Sequence, residues 1–143
     1  MILIDVNILI YATFHTFTGH SVVREWLDQQ LNGSARVGLP WATLLGFLRI
    51  ATNARMLERP LTMGLAWEQA TGWLASDSVW VPQPTERHGE VLGELLALPG
   101  VHGNLVPDAH LAALAIEHGL ILCSTDGDFG RFPRLRWLNP LTT

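Results

Sequence analysis

The segment STDGDF, residues 124–129, sets two carboxylates one residue apart immediately after the apolar run LILC. Two more acids have unusual surroundings. Asp5 interrupts MILIDVNILI, and Asp108 opens LVPDAHLAALAIEHG. Carboxylates gathered within a few ångströms repel one another, and one of them takes up a proton unless a cation intervenes. Magnesium and manganese favour oxygen donors, commonly one or two carboxylates completed by water and substrate phosphate. A cluster of Asp5, Asp108, Asp126 and Asp128 would therefore suit metal-assisted phosphodiester hydrolysis, in which the cation activates water and offsets charge on the phosphate. Each acid also has a plainer role. Asp126 suits a turn, and Asp108 suits the first turn of a helix. Asp5 is harder to explain that way, because an acid between apolar residues is rare unless paired or metal-bound.

The elements that must position these acids follow from hydrophobic patterning. Apolar runs at 2–5, 35–40, 78–82, 120–124 and 135–139 read as short buried strands. Helical patterns cover 21–31, 41–53, 61–76, 85–98 and 105–119, the last with Pro107 in its first turn and Gly119 as its stop. Short apolar strands alternating with helices predict an α/β domain with a central parallel sheet covered on both faces. Ligands of such sheets bind beyond the carboxyl ends of the strands, which is where Asp5, Asp126 and Asp128 are expected.

Composition narrows the chemistry. The chain has 143 residues, 48% of them hydrophobic, enough for one compact unit over 1–143. All nine basic residues are arginine; without lysine there is no P-loop, Schiff base or lysine general base. The formal net charge of −4 excludes a generally basic nucleic-acid binder. Polyanions would then be met by bound cations and local arginines. Arg131, beside the STDGDF turn, and Arg49 are the candidate phosphate contacts, with Arg55, Arg134 and Arg136 behind them. The single Cys123 lies in an apolar run and reads as a buried thiol. The six tryptophans read mainly as core, with an exposed apolar groove for a partner helix as the alternative for some of them. His110, two residues after Asp108, reads as an ordinary surface or core histidine. Neither a signal peptide nor a membrane span is apparent, so a cytoplasmic location is expected.

Three segments carry a family resemblance: MILIDVNILIYA, LPWATLLGFLRIATN and GNLVPDAHLAALAIEHGLILCSTDGDFGRFPRLRWLNPL. In order and spacing they resemble the PIN-domain ribonucleases, specifically the VapC toxins of bacterial toxin–antitoxin pairs. The resemblance implies a three-layer PIN fold, with a parallel sheet flanked by helices. It also implies Mg²⁺- or Mn²⁺-dependent endonucleolytic cleavage of RNA (transfer, ribosomal or messenger), a VapB-like antitoxin partner and a homodimer. By position, Asp5 and Asp108 correspond to principal metal ligands, with Asp126 and Asp128 as the further acidic element. Asn7 would orient Asp5, and the Thr125 hydroxyl would line the site; a helix-capping Asn and a strand-end Thr are the ordinary alternatives. One position departs from the family pattern S-x-x-T-x-x-E. PWATLLG supplies Thr43, but Gly46 stands where the glutamate belongs. That leaves two expectations: a site with fewer carboxylates and more water, or a weakened module that binds antitoxin or RNA without cutting. A dehalogenase-type phosphatase, the rival enzyme class, needs a second acid where Asn7 stands and usually a lysine.

Overall fold

A computed structural model describes residues 1–142. In chain order it contains β1 (Ile2–Ile4), α1 (Val6–Thr13), α2 (His20–Leu31), β2 (Val37–Gly38), α3 (Trp41–Ala51), α4 (Met63–Leu74), β3 (Val79–Trp80), α5 (His88–Leu96), α6 (Leu105–His118), β4 (Ile121–Cys123) and β5 (Trp137–Leu138). A 3-10 turn, Gly127–Arg131, lies between the last two strands. The strands form one sheet in the order β3-β2-β1-β4-β5, and every neighbouring pair is parallel. The expected α/β architecture and nearly all its elements are therefore present.

Strand order explains where a site can form. From β1 the chain steps outward through β2 to β3, then returns across the sheet to place β4 against β1. The outgoing and returning crossovers lie on opposite faces, so their loops part between β1 and β4. That parting is the crevice in which ligands of open parallel sheets bind.

Alternation along the strands feeds the two faces. Ile4 and Cys123 pack with Ile8, Leu44 and Phe47 from α1 and α3, whereas Leu3 and Leu122 pack with Val91, Leu114 and Phe129 on the other side. Cys123 belongs to the core as expected, and burial pushes its thiol up to about 12, far from reactive.

The main difference from the sequence reading is α1, which the pattern did not predict. Ile8, Leu9, Ile10 and Ala12 are all buried, so the helix is wedged between neighbours and has no polar stripe to reveal its period. Asp5 ends the strand and caps this helix, its Oδ1 accepting the Val6 N–H at 2.7 Å. The acid inside MILIDVNILI thus marks a junction of two elements.

Candidate active site

Asp5 is held from two sides. Its backbone N–H continues the ladder to the Cys123 carbonyl at 3.0 Å, and its Oδ2 accepts the Ser124 hydroxyl at 2.8 Å. Only 5% of the residue is exposed. Burial pushes its carboxyl above the ordinary range, the Ser124 and Val6 hydrogen bonds pull it back, and Asp126 pushes it up again.

Asp108 reaches the same crevice from the first turn of α6. Asp126 caps the 3-10 turn, accepting the Asp128 N–H at 2.9 Å. One carboxylate oxygen from each of Asp108, Asp126 and Asp128 lies within 4.8 Å of the others. Asp5 is not one of these three: it lines the same cleft as Asp108, with its oxygens engaged by Val6 and Ser124. Asp108 feels the charge of the other three acids, and Asp5 that of Asp126. Burial, followed by Asp5, Asp126 and Asp128, raises Asp108 from 3.8 to about 6, and Arg131 opposes the rise. Oxygen donors alone, crowded enough to repel, fit a hard divalent cation better than a soft one.

The other anticipated residues divide into engaged and available groups. Asn7 reaches Asp5 through an intermediary: its Nδ2 donates to Ser124 Oγ at 3.0 Å. Thr125 contributes its backbone N–H, which donates to Asn7 Oδ1 at 3.2 Å; its hydroxyl makes no described bond. Arg131 is exposed beside the triangle and pairs with Asp128 Oδ1 at 3.4 Å. Arg49 lines a cleft of about 450 Å³ together with Asp5, Gly46, Asp108 and His110. Arg134 and Arg136 are committed elsewhere, to Glu94 Oε2 at 2.6 Å and the Gly119 carbonyl at 2.7 Å.

One sequence expectation needs correction. Trp41 and Trp67 are 41% and 46% exposed and stack on each other with centroids 6.5 Å apart, so they are not core. His110, half-buried, lines the cleft that holds Asp108.

Comparison with known proteins decides the family. The PIN domain pattern matches residues 2–135. The sequence is 44% identical over 140 residues to Ribonuclease VapC37 of Mycobacterium tuberculosis, covering 98% of this chain and 97% of that protein. The chain belongs to the PIN-domain family, in its VapC branch. Solved PIN structures share the fold at lower identity. One is VapBC-1 from nontypeable Haemophilus influenzae, with a TM-score of 0.70, 20% identity and 99% of both chains covered. Another is FitAcB from Neisseria gonorrhoeae, with a TM-score of 0.69, 21% identity and complete coverage of both chains.

Two features of this PIN domain escaped the sequence reading. Ser124, fully buried, is the hub of the site: it donates to Asp5, accepts from Asn7 and also accepts the Asp126 N–H at 3.0 Å. The available signal was a hydroxyl ending the strand that runs in register beside β1, with Ile4 opposite Cys123. The second is the reason for a glycine at 46. A Cβ there would lie 3.2 Å from Val6 Cγ2, so the glycine lets α3 approach α1 closely.

Proposed function

We propose that this VapC-type PIN domain is the toxin of a type II toxin–antitoxin pair, hydrolysing RNA phosphodiester bonds as a Mg²⁺- or Mn²⁺-dependent endoribonuclease in the cytoplasm. The observation that carries the reading is the meeting of Asp108, Asp126 and Asp128 within 4.8 Å, beside the buried Asp5. The relationship to a protein named Ribonuclease VapC37 supports it.

Asp108, Asp126, Asp128 and Asp5 would hold the cation. When bound, it supplies a water acidified for attack and positive charge for the phosphate oxygens. The chain's own residues do the positioning. Ser124 and the α1 N-terminus hold Asp5 in one orientation, and Asn7 fixes the Ser124 hydroxyl from behind. Arg49, on the cleft wall, is placed to meet a phosphate of the bound strand, and Arg131 to meet one once Asp128 turns to a cation.

Three hollows share Thr13: one lies between α2 and α4, lined by Leu27, Leu31, Gln69 and Trp73, and the other two adjoin α4 and the segments after α1 and α3, lined by Phe14, Leu57, Leu61 and Leu65. Neighbouring, partly apolar hollows around one helix end suit an amphipathic antitoxin helix. The toxin–antitoxin complex from Klebsiella pneumoniae, which has the same fold, supports such a VapB-like partner. The exposed face carrying Trp41 and Leu45 on α3, with Met63 and Trp67 on α4, supports a homodimer.

The deciding experiment is cleavage of structured RNA in Mg²⁺ or Mn²⁺ by the parent, Asp5→Asn and Asp108→Asn. The parent is expected to cut and both variants to lose activity by orders of magnitude. Equal cutting by all three would betray a contaminant. Gly46, standing where the family pattern has glutamate, favours a second reading: a PIN module that binds antitoxin or RNA without cleaving. Parent protein that binds RNA yet leaves it intact in both metals would select it.

A further inference from the structure

One buried acid takes no part in the chemistry above. The Glu117 side chain, on α6, is fully shielded from solvent. Its Oε1 accepts the Thr85 N–H at 2.8 Å, and its Oε2 accepts from His88 Nδ1 at 2.8 Å. The other nitrogen of His88 lies 3.1 Å from His110 Nδ1, with the two rings edge to face and centroids 4.9 Å apart. His110 in turn lines the cleft that holds Asp5, Arg49 and Asp108. Its remaining ring nitrogen, Nε2, has no hydrogen bond among the described residues.

A carboxylate with two imidazoles in series is a costly way merely to join α5 and α6, since apolar side chains of similar volume do that without burying charge. What the series adds is orientation. Glu117 fixes the Nδ1–H of His88, His88 fixes Nδ1 of His110, and the last ring, which belongs to a residue lining the cleft, keeps one nitrogen without a hydrogen bond among the described residues.

We propose that His110 is a ribose-reading residue, its Nε2 hydrogen-bonding the 2′-hydroxyl of RNA in the cleft, and that His88 and Glu117 are positioning residues that hold the ring for this contact. The 2′-hydroxyl both donates and accepts, so it pairs with Nε2 in either tautomer. DNA offers no group there. The inference rests on the RNA-handling reading above and extends it to how RNA is told from DNA.

The test is a binding titration with the full chain, using a short single-stranded RNA and DNA of the same sequence in Ca²⁺, with the RNA checked as intact afterwards. The parent is expected to prefer RNA. His110→Ala, and His110→Phe, which keeps the ring and removes its nitrogens, should weaken RNA binding about two- to tenfold, the equivalent of one net hydrogen bond. DNA binding should stay unchanged. Glu117→Gln is nearly isosteric, still accepts from Thr85 and reverses the hydrogen bond to His88; because the 2′-hydroxyl pairs with either tautomer, it should leave the RNA preference within about twofold of the parent. His88→Phe, which removes the contact that holds the His110 ring, should instead reduce that preference while thermal unfolding reports an intact fold. Loss of RNA and DNA binding in equal measure, or of neither, in the His110 variants overturns the inference. A parent that prefers RNA through His110 but never cuts it would overturn the nuclease reading and leave this inference standing. A parent that binds no RNA would overturn both.

Discussion

Asp5 and Glu117 are two acids withdrawn from solvent, and the chain treats them in opposite ways. Glu117 is answered internally, by a backbone N–H and an imidazole. Asp5 receives two hydrogen bonds as well, but its next neighbours are other carboxylates, and Asp126 adds to its burden. One charge is compensated within the protein. The other leaves a deficit that a cation from solution would remove. A buried acid by itself is therefore a poor marker of function; what surrounds it separates an internal brace from a ligand site.

Breaking the compensated acid should have the larger effect on folding. Glu117→Ala strands His88 and the Thr85 N–H, and removing one member of a buried pair costs about 3–5 kcal/mol. Urea unfolding is expected to show a loss of that order, insensitive to Mg²⁺. A loss below about 1 kcal/mol would mean that the two acids do not differ as described.

The uncompensated cluster should respond with the opposite sign. Asp108 is raised from 3.8 to about 6, so between those values the folded state binds more protons than the unfolded one. Stability in EDTA should then fall as pH rises from about 4 to about 6. Asp108→Asn removes that penalty and is expected to stabilise the metal-free protein, by about 1 kcal/mol once solvent screening is allowed for. Added Mg²⁺ should stabilise the parent above pH 6 and have little effect on the variant. Thermal unfolding across pH, with and without Mg²⁺, reads all three effects, and a parent indifferent to Mg²⁺ would count against the cluster as a ligand set.

The smallest effect is expected where the two sides of the cleft meet, at Gly46. Alanine gains up to about 1 kcal/mol of helix propensity over glycine, while its Cβ would sit 3.2 Å from Val6. These oppose, so Gly46→Ala should change stability by less than about 0.5 kcal/mol. A large loss would show that α1 cannot give way, and that a glutamate could not be restored at this position without moving Asp5.

The sheet and most helices were legible because their signals are local: apolar runs for strands, Pro107 and Gly119 as punctuation for α6. The four acids were legible because they stand at the ends of those elements. Helix α1 was not, since Ile8, Leu9, Ile10 and Ala12 are all buried and leave no periodicity to read. The roles of Ser124 and His110 depend on neighbours far along the chain, and nothing within a few residues of either announces them. Trp41 and Trp67 misled for a related reason: an aromatic residue in a helical pattern looks the same whether its partner is the core or another exposed ring.

The pairing of β1 with β4 also imposes an order of events. Ile4 lies opposite Cys123, and Asp5 is tied to Ser124 across 119 residues. During synthesis, the first strand must wait until β4 has been made before it gains that neighbour, and Asp126 and Asp128 emerge later still. A growing chain therefore carries Asp5 without the acids that crowd it, and their mutual repulsion arises only once β4 has docked beside β1.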